Sequence, residues 1–210
     1  MKKRFVSLLV ALSITLTFLP MGAVAATKIT KGNLKYTVNA DGKSVTVSGT
    51  SGKPTQLTIE SSISYKDKNY TVTKIATWAF NACNTLTEVT LPNTVDEIGY
   101  QAFFKCSNLT KVIIPEGVTK IGQAAFYGCS QLTSITIPGT VTEMDSAFSG
   151  STALSQVTLT NGIPKISSHA FERCTELREI KVPISVDEIC SDAFNGCTGL
   201  TSVTLEKGIN

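Results

Sequence analysis

One histidine, one tryptophan and no lasting excess of either charge leave this sequence few kinds of chemistry. A Ser-His-acid relay needs a nucleophile and a carboxylate converging on an imidazole. The sequence pattern brings neither to His169, which reads as a surface loop residue. No C-x-x-C pair occurs among the 6 cysteines, which removes the usual zinc frameworks. The glycines recur singly in turns and form no phosphate-cradling loop, so no nucleotide site and no cofactor is expected. Lys and Arg number 19 against 16 Asp and Glu; without Lys2, Lys3 and Arg4 the balance is 19 − 3 = 16 against 16. A chain so neutral carries no basic footprint for nucleic acid. Beyond residue 26 no apolar stretch is long enough to cross a bilayer, so no membrane insertion of the mature chain is expected.

What is present begins with MKKRFVSLLVALSITLTFLPMGAVAA. A basic start, an apolar run from Phe5 to Leu19 and the small residues of Ala23-Val24-Ala25 predict a signal peptide over 1–26. The mature chain is therefore expected outside the cell or on its surface. At 42% hydrophobic and 17% charged, the composition is globular rather than disordered.

The rest of the chain repeats itself. LTEVTLPNTVDEIGYQAFFKCSN is followed by LTKVIIPEGVTKIGQAAFYGCSQ and then LTSITIPGTVTEMDSAFSGSTA. The opening leucines are Leu86, Leu109, Leu132, Leu154, Leu177 and Leu200, with one 22-residue coil among coils of 23. A fixed period in the twenties marks a solenoid of leucine-rich coils. The apolar columns confirm it: Val89, Val112, Ile135, Val157, Ile180 and Val203, then Leu91, Ile114, Ile137, Leu159, Val182 and Leu205. Further columns run from Val95 to Ile209 and from Ile98 to Ile189, and Ala-Phe closes each coil, as in Ala102-Phe103.

The V-x-L step has period two, which predicts a short strand with both apolar residues inward. Pro92, Pro115, Pro138 and Pro183 then stop it. The compact A-F-x-x-C stretch predicts one helical turn on the return side. The expected architecture is an α/β leucine-rich repeat solenoid with a parallel sheet of short strands and about 23 residues per coil. Ahead of the repeats, LKYTVNADGKSVTV alternates around Asp41-Gly42 as a hairpin does. Residues 27–70 are thus expected to form a β-rich N-terminal cap, and 71–210 the solenoid. LTSVTLEKGIN stops in mid-coil, so truncation at the C-terminus is expected.

The pattern L-x-x-V-x-I-P-x-x-V-x-x-I-G-x-x-A-F-x-x-C, carried by LTKVIIPEGVTKIGQAAFYGC, resembles the BspA-type (Treponema-type) leucine-rich repeat. The lead-in ISYKDKNYTVTKI is similar to that of the same family. The resemblance covers roughly residues 34–210. It implies an exported or surface protein of bacteria that binds other proteins, often in adhesion, and it carries no catalytic residues. Thr160 and Glu206 replace the proline, Ser151 replaces the cysteine, and Pro164 intrudes in a loop.

Cys83, Cys106, Cys129, Cys174 and Cys197 share one repeat position. Side chains stacked in parallel point alongside rather than at one another. A ladder of buried thiols filling small slots is the first reading; one or two bridges is the second. Cys190 stands off this ladder, in the column of Gly99 and Gly122.

Two surfaces are candidates for a protein partner, or for a glycan. The residues flanking each inward valine face outward: Glu88, Lys111, Ser134, Gln156 and Glu179 in one column, Thr90, Ile113, Thr136, Thr158 and Lys181 in the next. A hydrated sheet face with no partner is the plain alternative. Trp78, Tyr100, Phe104 and Tyr127 form an aromatic patch on the return segments, where packing between coils competes with anchoring a ligand. The expected function is a non-catalytic interaction or adhesion protein. The rivals are a targeting or wall-associated module of a larger exported enzyme, and a structural surface component.

Overall fold

The computed structural model describes residues 26–206. The predicted signal peptide, apart from Ala26, and Ile209 lie outside the described residues. Strands β1 (Lys28–Lys31), β2 (Leu34–Val38) and β3 (Ser44–Thr50) make an antiparallel meander. Its β2–β3 turn is built by Asp41, whose Oδ1 accepts the Lys43 and Ser44 N–H groups at 2.9 Å each. Those bonds, that of Lys43 foremost, hold the Asp41 carboxyl below its ordinary pKa. Gly42 follows at φ +63°, as the predicted hairpin requires.

Next come β4 (Gln56–Thr58), then the antiparallel hairpin of β5 (Ser62–Tyr65) and β6 (Lys68–Ile75). The coils proper follow with β7 (Glu88–Thr90), β8 (Glu97–Ile98), β9 (Lys111–Ile113) and β10 (Lys120–Ile121). They continue with β11 (Ser134–Ile137), β12 (Gln156–Leu159), β13 (Lys165–Ile166), β14 (Glu179–Val182), β15 (Glu188–Ile189) and β16 (Ser202–Leu205). β4 pairs in parallel with β7, while β3 and β6 pair in parallel and lead to β8. Residues 27–70 therefore supply the first strands of two faces.

The first face is the expected one, made of the V-x-L strands β7, β9, β11, β12, β14 and β16. The second consists of two-residue strands, β8, β10, β13 and β15, with Glu143 bridging to Lys120 between them. Here every coil presents one charge, and the sign alternates: Lys74, Glu97, Lys120, Glu143, Lys165 and Glu188. Parallel register sets Lys74 and Lys120 opposite Glu97, and Lys165 opposite Glu188. Lys74 Nζ lies 2.7 Å from Glu97 Oε2, and Lys120 Nζ 3.2 Å from Glu143 Oε2. Like charges opposite one another on a sheet repel. Lys120→Glu would put three carboxylates in file, and we expect a loss of about 1 kcal/mol. Urea midpoints at low and high salt check it: the deficit should shrink at high salt.

The return side overturns the expected helical turn and with it the α/β class. No helix occurs among the described residues, and A-F-x-x-C lies in successive turns. Two positions four residues apart take positive φ in each coil, such as Gln101 (51°) with Lys105 (55°) and His169 (55°) with Arg173 (57°). A residue of positive φ ends a right-handed helix after one turn. The spaced N–H groups it frees bond across coils, Gln101 to Gln123 O at 3.0 Å, Phe103 to Ala125 O at 2.7 Å and Lys105 to Tyr127 O at 2.7 Å. The spacing of Ala-Phe and Cys, three apart, looks helical in sequence because both arrangements bring i and i+3 together.

Inside these three sides the predicted columns pack as one core. Phe80, Phe103, Phe126, Phe148, Phe171 and Phe194 form a file of stacked rings with centroids 5.0–5.7 Å apart. Beside it runs the cysteine ladder. None of the six thiols forms a disulfide. Instead four of them donate to the phenylalanine carbonyl of the coil before: Cys106 Sγ to Phe80 O at 3.1 Å, Cys129 to Phe103 O at 3.3 Å, Cys174 to Phe148 O at 3.4 Å and Cys197 to Phe171 O at 3.0 Å. Ser151 Oγ makes the same bond to Phe126 O at 3.1 Å, so the one departure from cysteine keeps the donor. Coils also approach closely at Gly99 and Gly122; a Cβ on Gly122 would stand 2.6 Å from the Gly99 carbonyl carbon.

Three residues of the inward columns are exposed. Ile189, Val203 and Leu205 are 44%, 49% and 64% exposed. Each lies in the last described coils, and inward position buries a side chain only where another coil covers it.

Candidate interaction face

Alternation along each V-x-L strand sends one side chain in and the next out. Parallel register then lines the outward ones up across coils: Glu88 with Lys111, Thr90 with Ile113, Ser134 with Gln156, Thr136 with Thr158. Glu179 and Lys181 continue with Ser202 and Thr204. All ten predicted residues are exposed except Glu88, which is half-buried.

The face is not uniform. β4, β7 and β9 share one ladder, β11 and β12 a second, β14 and β16 a third. Between β9 and β11, and again between β12 and β14, the ladder is interrupted. A depression of about 600 Å³ lies across the first interruption, bounded by Lys111, Ile113, Ser134 and Thr136 and reaching Thr158. A second, of about 340 Å³, lies across the other, floored by Val157 and Leu159 and rimmed by Glu179, Lys181 and Glu206. Val157 is half-buried there, whereas Val89, Val112, Ile135 and Ile180 in its column are buried. The apolar columns keep their spacing through both interruptions, so periodicity gave no sign of them.

The aromatic patch divides into two pairs. Trp78 and Tyr100, 58% and 40% exposed, meet edge to face at 6.0 Å. Trp78 Nε1 donates to Gln101 Oε1 at 2.8 Å, which fixes the indole. Phe104 and Tyr127 stack at 5.1 Å and are half-buried, so packing between coils accounts for them.

His169 lies with its Nδ1 3.2 Å from Glu172 Oε2, without hydrogen-bond alignment. Ser149 Oγ reaches the same oxygen at 3.4 Å. The carboxylate thus sits between the imidazole and the Ser149 hydroxyl. Burial pushes the Cys106 thiol up to about 12 and raises Cys129 and Cys174 as well, which withholds the thiolate a nucleophile needs. Among the described residues no group of three or more His, Cys, Asp or Glu is placed to hold a metal ion, and no helix is long and apolar enough to cross a membrane.

Comparison with known proteins agrees with this geometry. The profile of the BspA type leucine rich repeat region matches residues 60–146 and 144–210, in six copies. No curated protein matches the sequence. Among solved structures, a leucine rich cell surface protein of Faecalibacterium prausnitzii is 30% identical with a TM-score of 0.62, over 85% of this chain and 54% of its own. A leucine-rich repeat protein of Bacteroides ovatus is also 30% identical, with a TM-score of 0.63, over 83% of this chain and 52% of its own. The pneumococcal vaccine antigen PcpA reaches a TM-score of 0.70 at 26% identity, over 87% of this chain and 51% of its own. This chain thus spans about half the length of each of these relatives. With the repeat, the β-solenoid and the profile in agreement, the chain belongs to the BspA-type leucine-rich repeat family.

Proposed function

We propose that this is an exported, cell-surface interaction protein that binds a protein partner across the outward columns of the V-x-L sheet and performs no catalysis. The observation that carries the reading is the register: within each ladder the outward side chains of neighbouring coils stand opposite one another, so that ten side chains from five coils share one face, over a surface with two depressions. Solenoids present such extended faces to partners. The cell surface protein of Faecalibacterium prausnitzii and the basic-apolar leader of 1–26 support export. The glycan alternative rests on the exposed Trp78–Tyr100 pair alone.

Capture of host and bacterial surface proteins on an array tests the proposal. Glu88→Lys, Lys111→Glu and Glu179→Lys together should weaken the strongest capture about tenfold or more. Undiminished capture by that variant, with an unchanged circular dichroism spectrum, counts against the face.

A second reading is a targeting or wall-associated module of a larger protein, favoured by the half-length match to the relatives. The two differ in what the complete gene encodes beside the repeats: a hydrolase domain supports the module.

A further inference from the structure

An even overall charge conceals a division along the chain. Residues 27–70 hold seven lysines against three carboxylates, while residues 71–210 hold nine basic groups against thirteen acidic ones. A surplus of four in the first region thus cancels a deficit of four in the second. An anionic ligand is drawn to the one and repelled by the other.

The surplus reaches the exposed aromatic pair. Lys35 on β2 pairs with Gly49 on β3. A Cβ on Gly49 would stand 3.1 Å from the Ala79 carbonyl oxygen, so this corner of the sheet lies against the coil that carries Trp78. Since β3 pairs with β6 of that coil, Lys35 is two strands away, roughly 10 Å at the usual spacing. Lys28 on β1 is diagonal to Lys35, about 7–8 Å off. Neither lysine makes an ion pair among the described residues. Their neighbours on the same strands are Thr30, Thr37 and Thr46. The region's acids stand elsewhere: Asp41 and Asp67 in turns at the far end of the strands, and Glu60 with Lys31 at 3.8 Å. On the adjoining second face Glu97 is held by Lys74, which leaves Asp96 beside it unpaired.

Trp78 and Tyr100 complete the corner. The main-chain N–H of Trp78 donates to Tyr100 O at 3.0 Å, so the two residues follow one another along the axis. Trp78 takes φ +58°, a costly conformation for so bulky a side chain, and later coils fill its position with smaller residues. Its indole is exposed and fixed through Gln101, which packing between coils does not require. The negative face of an indole suits the C–H face of a pyranose ring. A neutral glycan would use only the aromatic pair, and an acidic peptide only the lysines; an acidic saccharide uses both. The span of roughly 10 Å exceeds one sugar ring, so the ligand is an oligosaccharide. We infer that this corner binds an acidic oligosaccharide, with one ring on Trp78 beside Tyr100 and an anionic substituent at Lys35, Lys28 being next in line. The site is separate from the V-x-L sheet face.

An array that pairs each neutral oligosaccharide with its sulfated and uronic-acid forms tests the inference on the purified protein. Members of either acidic series should be retained about tenfold or more above their neutral counterparts. Trp78→Ala should weaken that retention about tenfold or more. Ala124 holds the same position at φ 57°, so the variant folds, which circular dichroism verifies. Lys35→Glu should abolish the preference for acidic members. The Glu88, Lys111 and Glu179 reversals should leave glycan binding unchanged, whatever they do to a protein partner; loss of glycan binding there overturns the separate placement. Equal retention of neutral and acidic forms overturns the assignment, as does unchanged binding by Trp78→Ala or by Lys35→Glu. Retention of polyglutamate or single-stranded DNA without any acidic glycan makes the lysines a general polyanion surface and also overturns it. So does retention of nothing.

Discussion

Phe126→Ala should lower the unfolding free energy by about 3–5 kcal/mol, the range for a fully buried phenylalanine. Phe126 is shielded from water and has a ring on each side, Phe103 at 5.0 Å and 3° and Phe148 at 5.4 Å and 0°. Removing it opens a gap in a file rather than in a rounded core. Neighbouring coils cannot close that gap without breaking the cross-coil bonds around it, such as Phe126 N–H to Ala147 O at 2.8 Å. The array's stability is a sum over coil interfaces, so a central lesion weakens two of them. Phe194 is half-buried, and its ring stacks on Phe171 alone among the described rings; its replacement by alanine should cost less than half as much. Urea unfolding followed by far-ultraviolet circular dichroism measures both. A Phe126→Ala variant within about 1 kcal/mol of the parent would mean that the file is not what holds the coils together.

The second large effect is a loss of stability in alkali. Cys106 is raised from 9.0 to about 12, chiefly by burial, and Cys129 and Cys174 are raised for the same reason. An unfolded chain releases these protons near pH 9 while the folded chain keeps them. The folded state then binds more protons than the unfolded one, so stability falls as pH rises. The contribution is whole below pH 9 and is lost progressively toward pH 12. Cys106 gives up roughly 1 kcal/mol per pH unit inside that window, and Cys129 and Cys174 add losses of the same sign. Urea midpoints at pH 7, 9, 10 and 11 would trace the decline. The triple variant Cys106→Ser, Cys129→Ser, Cys174→Ser should hold a flatter profile, since Ser151 shows that a hydroxyl makes the same bond. Identical pH profiles for the triple variant and the parent would refute the assignment.

The inward columns were legible because burial constrains them: Leu109, Val112, Val118, Ile121 and Phe126 recur by type in every coil, and all are buried. The return side was misread because αL residues need not be glycine. Gln101, Lys105, His169 and Arg173 give no local hint of positive φ. Gly128, Gly150 and Gly196 at the Lys105 position were the available clue. The thiol bonds were hidden because a donor and a small filler occupy the same slot; Ser151 in place of cysteine pointed to the donor. The outward columns could be drawn from alternation alone. The interruptions between β9 and β11 and between β12 and β14 could not, since they change pairing without changing spacing.

The alternating charges of the second face bear on how such a chain can lengthen or shorten. Excise the single coil that holds Lys120, and Glu97 comes to lie against Glu143; excise two adjoining coils, and plus still meets minus throughout. Recombination between repeats is thereby expected to favour even steps. Parity, rather than total number, is what electrostatics would inspect in any gain or loss of turns.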